Sequence, residues 1–191
     1  MTENYMDQRK QRGVMKNDIR EMKICTYPDL VLKMHAELVT NIDEEIQTLV
    51  DSMVETMYTA PGIGLAANQV GELKRVIVFD ASPREEGRNT AVLINPEIVL
   101  AESSITWEEA CLSVPDFMAD VTRNAWVKVR GLDRNGKPVD IEAEDLLAVC
   151  LQHEIDHLNG MLFIDRISGL KRALYKKKIK KSLKQNRTGL A

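Results

Sequence analysis

The sequence predicts an α+β fold: antiparallel β-sheets packed around a central buried helix with a His-Glu-x-x-His motif, an N-terminal amphipathic helix and a basic C-terminal helix. Three observations carry this. Apolar residues recur at helical spacing from Ile42 to Met57. From Arg75 to Ala143, short apolar or alternating runs are separated by turn residues, without a βαβ rhythm. The stretch around Leu146–Leu158 is apolar nearly all round, as a helix buried on every side must be.

In chain order, Met1 to Glu21 mixes charges without periodicity and reads as a disordered extension. Tyr27-Pro28-Asp29 is a turn. Asn41 with Glu44 can form a capping box, followed by Ile42, Ile46, Leu49, Val50, Met53, Val54 and Met57 as one face of a helix. Small residues then dominate from Tyr58 to Gln69, with Gly62 and Gly64 one residue apart. Arg75–Asp80, Val92–Asn95 and Ile98–Leu100 read as strands. Ala125–Gly131 alternates, Asp133-Arg134-Asn135-Gly136 turns the chain, and Pro138–Ala143 returns, with Asn-Gly as the hairpin signal. The motif helix runs from about Glu144 to Leu158 and is stopped by Asn159-Gly160. Ser168 to Gln185 reads as a Lys-rich helix with Leu170, Leu174 and Leu183 among its apolar positions. This divides the chain into an extension (1–21), a catalytic domain (22–168) and a basic helix and tail (169–191).

Composition is that of an ordinary globular domain: 191 residues, 44% apolar and 29% charged. No apolar run approaches the ~18 residues that span a membrane, and the N-terminus lacks a signal-like apolar core. A cytoplasmic protein is expected. Three cysteines are too few, and odd in number, for a disulfide framework, so no disulfides are expected. The net charge of −3 hides an asymmetry. All 29 acidic residues lie at or before Asp165 with 16 of the 26 basic ones, a balance of −13; from Arg166 onward ten Lys/Arg and no acid give +10. Such a basic tail is either a solvated helix or a surface for nucleic acid.

His153 and His157 are four residues apart, so on a helix both imidazoles project from one face. They can hold one metal ion, and Glu154 can serve as general base toward a water activated there. The same pattern on a polar surface helix would mean solvated histidines. Here Leu146, Leu147, Val149, Leu151, Ile155 and Leu158 bury the motif, and buried imidazoles need partners. A catalytic site of this kind takes three protein ligands. Cys150 lies ~10.5 Å along the axis from His157, beyond the reach of its short side chain. Cys25 has no polar surroundings. Cys111, in a loop between strands, is favoured as third ligand, with Glu109 as the alternative. Asp156 faces away from the metal and needs a buried cation, for which Arg123 is a candidate.

Three segments, Gly62-Ile63-Gly64-Leu65-Ala66-Ala67-Asn68-Gln69, Glu109-Ala110-Cys111-Leu112-Ser113 and His153-Glu154-Ile155-Asp156-His157, resemble the signature motifs of the peptide deformylase family, in the same order. The resemblance implies a metal-dependent hydrolase that removes the N-formyl group from the N-terminal methionine of nascent polypeptides, releasing formate. It implies Cys111, His153 and His157 as metal ligands and Fe2+ as the ion in the cell, with Zn2+, Ni2+ or Co2+ as replacements. Glu154 would move the proton, while the Gln69 side chain and the Leu112 backbone N–H would stabilise the oxyanion. Gly62, Ile63 and Gly64 would take the substrate as an added strand. Ile63, Leu146, Val149, Cys150 and His153 would line the methionine pocket; from the residues alone the aliphatic ones read as plain core. The natural acidic partner of the basic C-terminal helix would be ribosomal RNA. One departure stands out: Ala110 occupies a position where the family usually has glycine, which would add strain at positive φ or narrow the cleft. Two rivals remain, a metallopeptidase sharing the histidine motif and a ribosome-binding module with a purely structural metal.

Overall fold

The computed structural model describes residues 19–188, with side chains as far as Gln185. The expected disorder of the extension therefore falls, for residues 1–18, outside the described residues. By Met22 the chain is already on the body, where its N–H donates to Thr56 Oγ1 at 2.8 Å.

Helix α1 (Glu44–Thr59) buries Ile46, Val50, Met53 and Met57 on one side, as the spacing predicts. Its cap is Asp43 rather than Asn41: the Asp43 carboxylate accepts from the amides of Glu45 and Ile46 at 3.1 and 3.2 Å. An anion at this end also meets the positive pole of the helix. Asn41 instead donates from Nδ2 to Asp43.

The strands are β1 (Gly64–Ala66), β2 (Val76–Phe79), β3 (Ala91–Glu102), β4 (Ile105–Cys111), β5 (Val114–Arg123), β6 (Trp126–Leu132) and β7 (Pro138–Glu144). Five form an antiparallel sheet in the order β1-β2-β3-β6-β7, which leaves β1 at an edge. The sequence suggested two strands at Val92–Asn95 and Ile98–Leu100, but β3 runs through both. Asn95, at φ 55°, and Pro96 produce a register shift between Ile94 and Glu97 instead of a break. The expected hairpin across Asp133–Gly136 joins β6 to β7.

β4 and β5 form a separate two-stranded sheet where a loop was expected. The alternation Ile105, Trp107, Glu109, Cys111 has a carboxylate at an inward position, so it does not read as a strand. Glu109 is nonetheless 4% exposed, because charged partners meet it there.

Helix α2 (Asp145–Leu158) carries the histidine motif and is buried at every residue from Ala148 to Leu158. It ends at Asn159, and Gly160 follows at φ 69°, where a Cβ would lie 2.6 Å from the Lys33 carbonyl oxygen. Strand β2 shows how the core is layered. Ile77 and Phe79 face α2 with Leu151 and Ile155, whereas Val76 and Val78 face the α1 side with Met53 and Met57. A third apolar cluster lies against the β4–β5 hairpin and includes Tyr175 of α3 (Gly169–Thr188). The expected leucines of α3 do not make this contact: Leu170 and Leu174 are 73% and 60% exposed, while Tyr175 is 2% exposed and Ile179 packs beside it. Among the described residues there is no disulfide, and no helix is long and apolar enough to cross a membrane.

Candidate metal centre and active site

Three elements meet at one cleft of about 630 Å³: the segment from Gly62 into β1, the turn of the β4–β5 hairpin, and α2. Because i and i+4 share a helix face, the rings of His153 and His157 converge, with 3.2 Å between their Nε2 atoms. Cys111, the last residue of β4, brings its sulfur to 3.2 Å from His157 Nε2. The ligating atoms of these three residues all lie within 4.8 Å of one another.

The donor set fits a metal ion. The Glu109 carboxylate is 2.7 Å from His153 Nδ1 and accepts a hydrogen bond from it; with the proton held there, a neutral ring presents its Nε2 lone pair to the cluster. Burial holds the His157 pKa well below its ordinary value, which keeps that imidazole neutral. Burial works against ionisation of Glu109, but hydrogen bonds from His153 and Arg123 outweigh it and hold the carboxyl at about 2. Glu109, the alternative third ligand, is thus engaged with His153 and Arg123, while the Cys111 sulfur is the atom that lies with the two imidazole nitrogens.

Glu154 lies beside the histidines and is 4% exposed, with Oε2 lacking a partner among the described residues. Burial pushes its carboxyl up to about 7, with His153 pulling the other way. Its side chain occupies space that Gly64 leaves: a Cβ on Gly64 would be 2.8 Å from the Glu154 carboxyl carbon. Gly64→Ala is expected to displace this carboxylate and to lower kcat at least tenfold while metal content stays at wild-type level. Steady-state kinetics beside metal analysis checks this, and an unaltered kcat would show that the close fit is unimportant.

Gln69 sits in a 3-10 turn (Ala67–Val70), its Oε1 accepting from the Ala66 amide at 2.8 Å. That contact turns Nε2 toward Ser113 Oγ at 3.1 Å and Cys111 Sγ at 3.7 Å. Leu112 is in the hairpin turn. A Cβ on Gly62 would come within 2.9 Å of Leu112 Cδ1, so glycine allows the two cleft walls to approach. Ile63, Leu146, Val149 and Cys150 line the same cleft. All the residues expected at the site are thus brought together, with His157 buried below the cleft surface. Ala110 is exposed and does not have positive φ, so its methyl adds no backbone strain.

Two supporting contacts were not expected from sequence. Asn68 Nδ2 donates to the His157 carbonyl oxygen. Ser113, although inside a signature segment, had no role assigned until its hydroxyl met Gln69. The anticipated pairing of Asp156 with Arg123 is present at 2.5 Å, and Arg123 also spans Glu109.

The family model for polypeptide deformylase matches residues 21–173. The chain belongs to the polypeptide deformylase family. It is 55% identical over 164 residues to a peptide deformylase of Syntrophobacter fumaroxidans, covering 86% of this chain and 96% of that protein. It is 57% identical over 159 residues to one from Thermodesulfovibrio yellowstonii, covering 83% and 96%. A crystal structure of a Legionella pneumophila peptide deformylase superposes with a TM-score of 0.80 at 44% identity, covering 87% of this chain and 98% of that one. The deformylase of Ehrlichia chaffeensis, solved in complex with actinonin, gives 0.80 at 40% identity, with coverage of 85% and 98%. As a deformylase, the protein is a metal-dependent hydrolase that removes the N-formyl group from newly made polypeptides. The metallopeptidase and binding-module readings fall away.

Proposed function

We propose that deformylation is carried out by Glu154, Gln69 and Leu112 around a metal held by Cys111, His153 and His157. One observation carries the reading: a thiol and two imidazole nitrogens converge beside a buried carboxylate whose Oε2 has no partner among the described residues. The bound metal supplies Lewis-acid chemistry, polarising the formyl group and lowering the pKa of water. Glu154 takes a proton from the attacking water and delivers it to the departing amine nitrogen. Its elevated pKa suits both transfers, and a cation on the triad would bring it down. Gln69 Nε2 and the Leu112 N–H stabilise negative charge on the formyl oxygen as the carbonyl carbon becomes tetrahedral. The edge strand β1, entered through Gly62 and Ile63, takes the peptide backbone as a further strand. Ile63, Leu146, Val149, Cys150 and His153 receive the methionine side chain. The test is formate release from an N-formyl-methionyl tripeptide by anaerobically prepared, iron-loaded protein; no release from metal-replete protein would overturn the assignment.

The ion is proposed to be ferrous iron. Ligand softness alone favours zinc, and iron is what the family resemblance implies. Metal analysis of protein isolated without oxygen decides between them. The working unit is the catalytic domain of residues 22–168, placed in the cytoplasm, where formylated chains emerge from the ribosome.

The basic helix α3 is proposed to contact ribosomal RNA. Lys176, Lys177, Lys180 and Lys181 are exposed, whereas Tyr175 and Ile179 hold the helix to the body. Changing those four lysines to glutamine therefore removes charge without undocking the helix. Ribosome cosedimentation is expected to weaken, and its log–log salt slope to become shallower by about 3, at roughly 0.7–0.9 per phosphate contact. Unchanged binding and slope would exclude the contact.

A further inference from the structure

Arg123 ends β5, and its guanidinium is 1% exposed. Its Nε and Nη2 donate to the two oxygens of Glu109 at 2.6 and 3.0 Å, and its Nη1 donates to Asp156 Oδ2 at 2.5 Å. Asp156 also accepts from Arg166, so two cations and two anions balance. The partners matter more than the balance. Glu109 is two residues before Cys111 on the same face of β4 and holds His153 Nδ1, while Asp156 immediately precedes His157. One guanidinium is thus tied to the neighbourhood of all three proposed ligands.

The β4–β5 hairpin shares no strand pairing with the five-stranded sheet. Apolar packing can hold two such units together, but it is tolerant of small slides. A planar fork with a two-point contact on one carboxylate fixes direction as well as distance. We propose that Arg123 is a positioning residue for the metal centre: it holds Cys111 of the hairpin in register with His153 and His157 of α2 before any metal arrives, and so slows metal loss afterwards. A buried ion pair is a poor guarantee of stability, since an apolar replacement often does as well. The function of this one is geometric.

The inference rests on Cys111, His153 and His157 being the ligands. It is tested with zinc-loaded and cobalt-substituted full-length protein in two variants, Arg123→Lys and Asp156→Asn. Arg123→Lys keeps the charge and loses the fork; Asp156→Asn keeps the shape and weakens the helix end of the tie. Folding is followed by circular dichroism, zinc release by a chromophoric chelator, and ligand geometry by the visible bands of cobalt. Each folded variant is expected to release zinc about 10–100-fold faster, the usual effect of losing an outer partner of a ligand, with shifted cobalt bands. Wild-type release rates and bands in a folded variant would overturn the proposal, and if one variant fails to fold the other decides. A wild-type protein that holds neither metal would instead overturn the ligand assignment itself.

Discussion

Glu154→Gln is expected to lower kcat/KM for formate release by roughly 10²–10⁴-fold, the range that general acid–base groups contribute. The amide matches the carboxylate in size, so the fit against Gly64 persists. It cannot accept a proton from water or return one to the amine. Glu154 is not among the three residues that converge as a ligand set, so the variant should bind metal to the wild-type stoichiometry and bind the peptide normally. The loss then appears in kcat, with KM nearly unchanged. A metal-replete Gln variant that deformylates at the wild-type rate would remove Glu154 from the mechanism.

Cys111→Ala should have the second large effect, through a different route. It leaves two imidazoles on one helix and nothing from the hairpin, so the site loses both its thiolate and its connection across the cleft. Metal content after gel filtration is expected to fall to near zero. Affinity should drop by more than the ~10–100-fold that outer partners cost. Activity follows metal content, and excess metal in the assay restores only a small part. Retention of a full equivalent by a folded Cys111→Ala protein would mean that another group, with Glu109 nearest to hand, completes the site.

Much of this was legible in the sequence, for identifiable reasons. The α2 motif was readable because the helical period alone brings His153 and His157 to one face, whatever the rest of the chain does. The Asp156–Arg123 pair followed from the cost of an unpaired buried acid. The β6–β7 hairpin was announced by Asn135-Gly136. What stayed hidden depends on contacts distant in sequence. Strand β4 was obscured by Glu109, whose inward position makes sense only once Arg123 and His153 are seen around it. Strand β1 is three residues long, too short to show alternation. The grip of α3 falls on Tyr175 because the hairpin core happens to lie there. Leucine spacing along α3 carries no such information.

The empty place at Gly64 also bears on how this site can change over generations. Room at that contact is a fixed sum shared by two positions, and Glu154 has taken nearly all of it. A larger residue at 64 becomes tolerable only if 154 shortens, and aspartate would draw the carboxylate back by one carbon–carbon bond from where the proton must go. Neither step is neutral alone, and the pair together retreats from the chemistry. The two positions are therefore coupled, and a change at either one alone disturbs the contact.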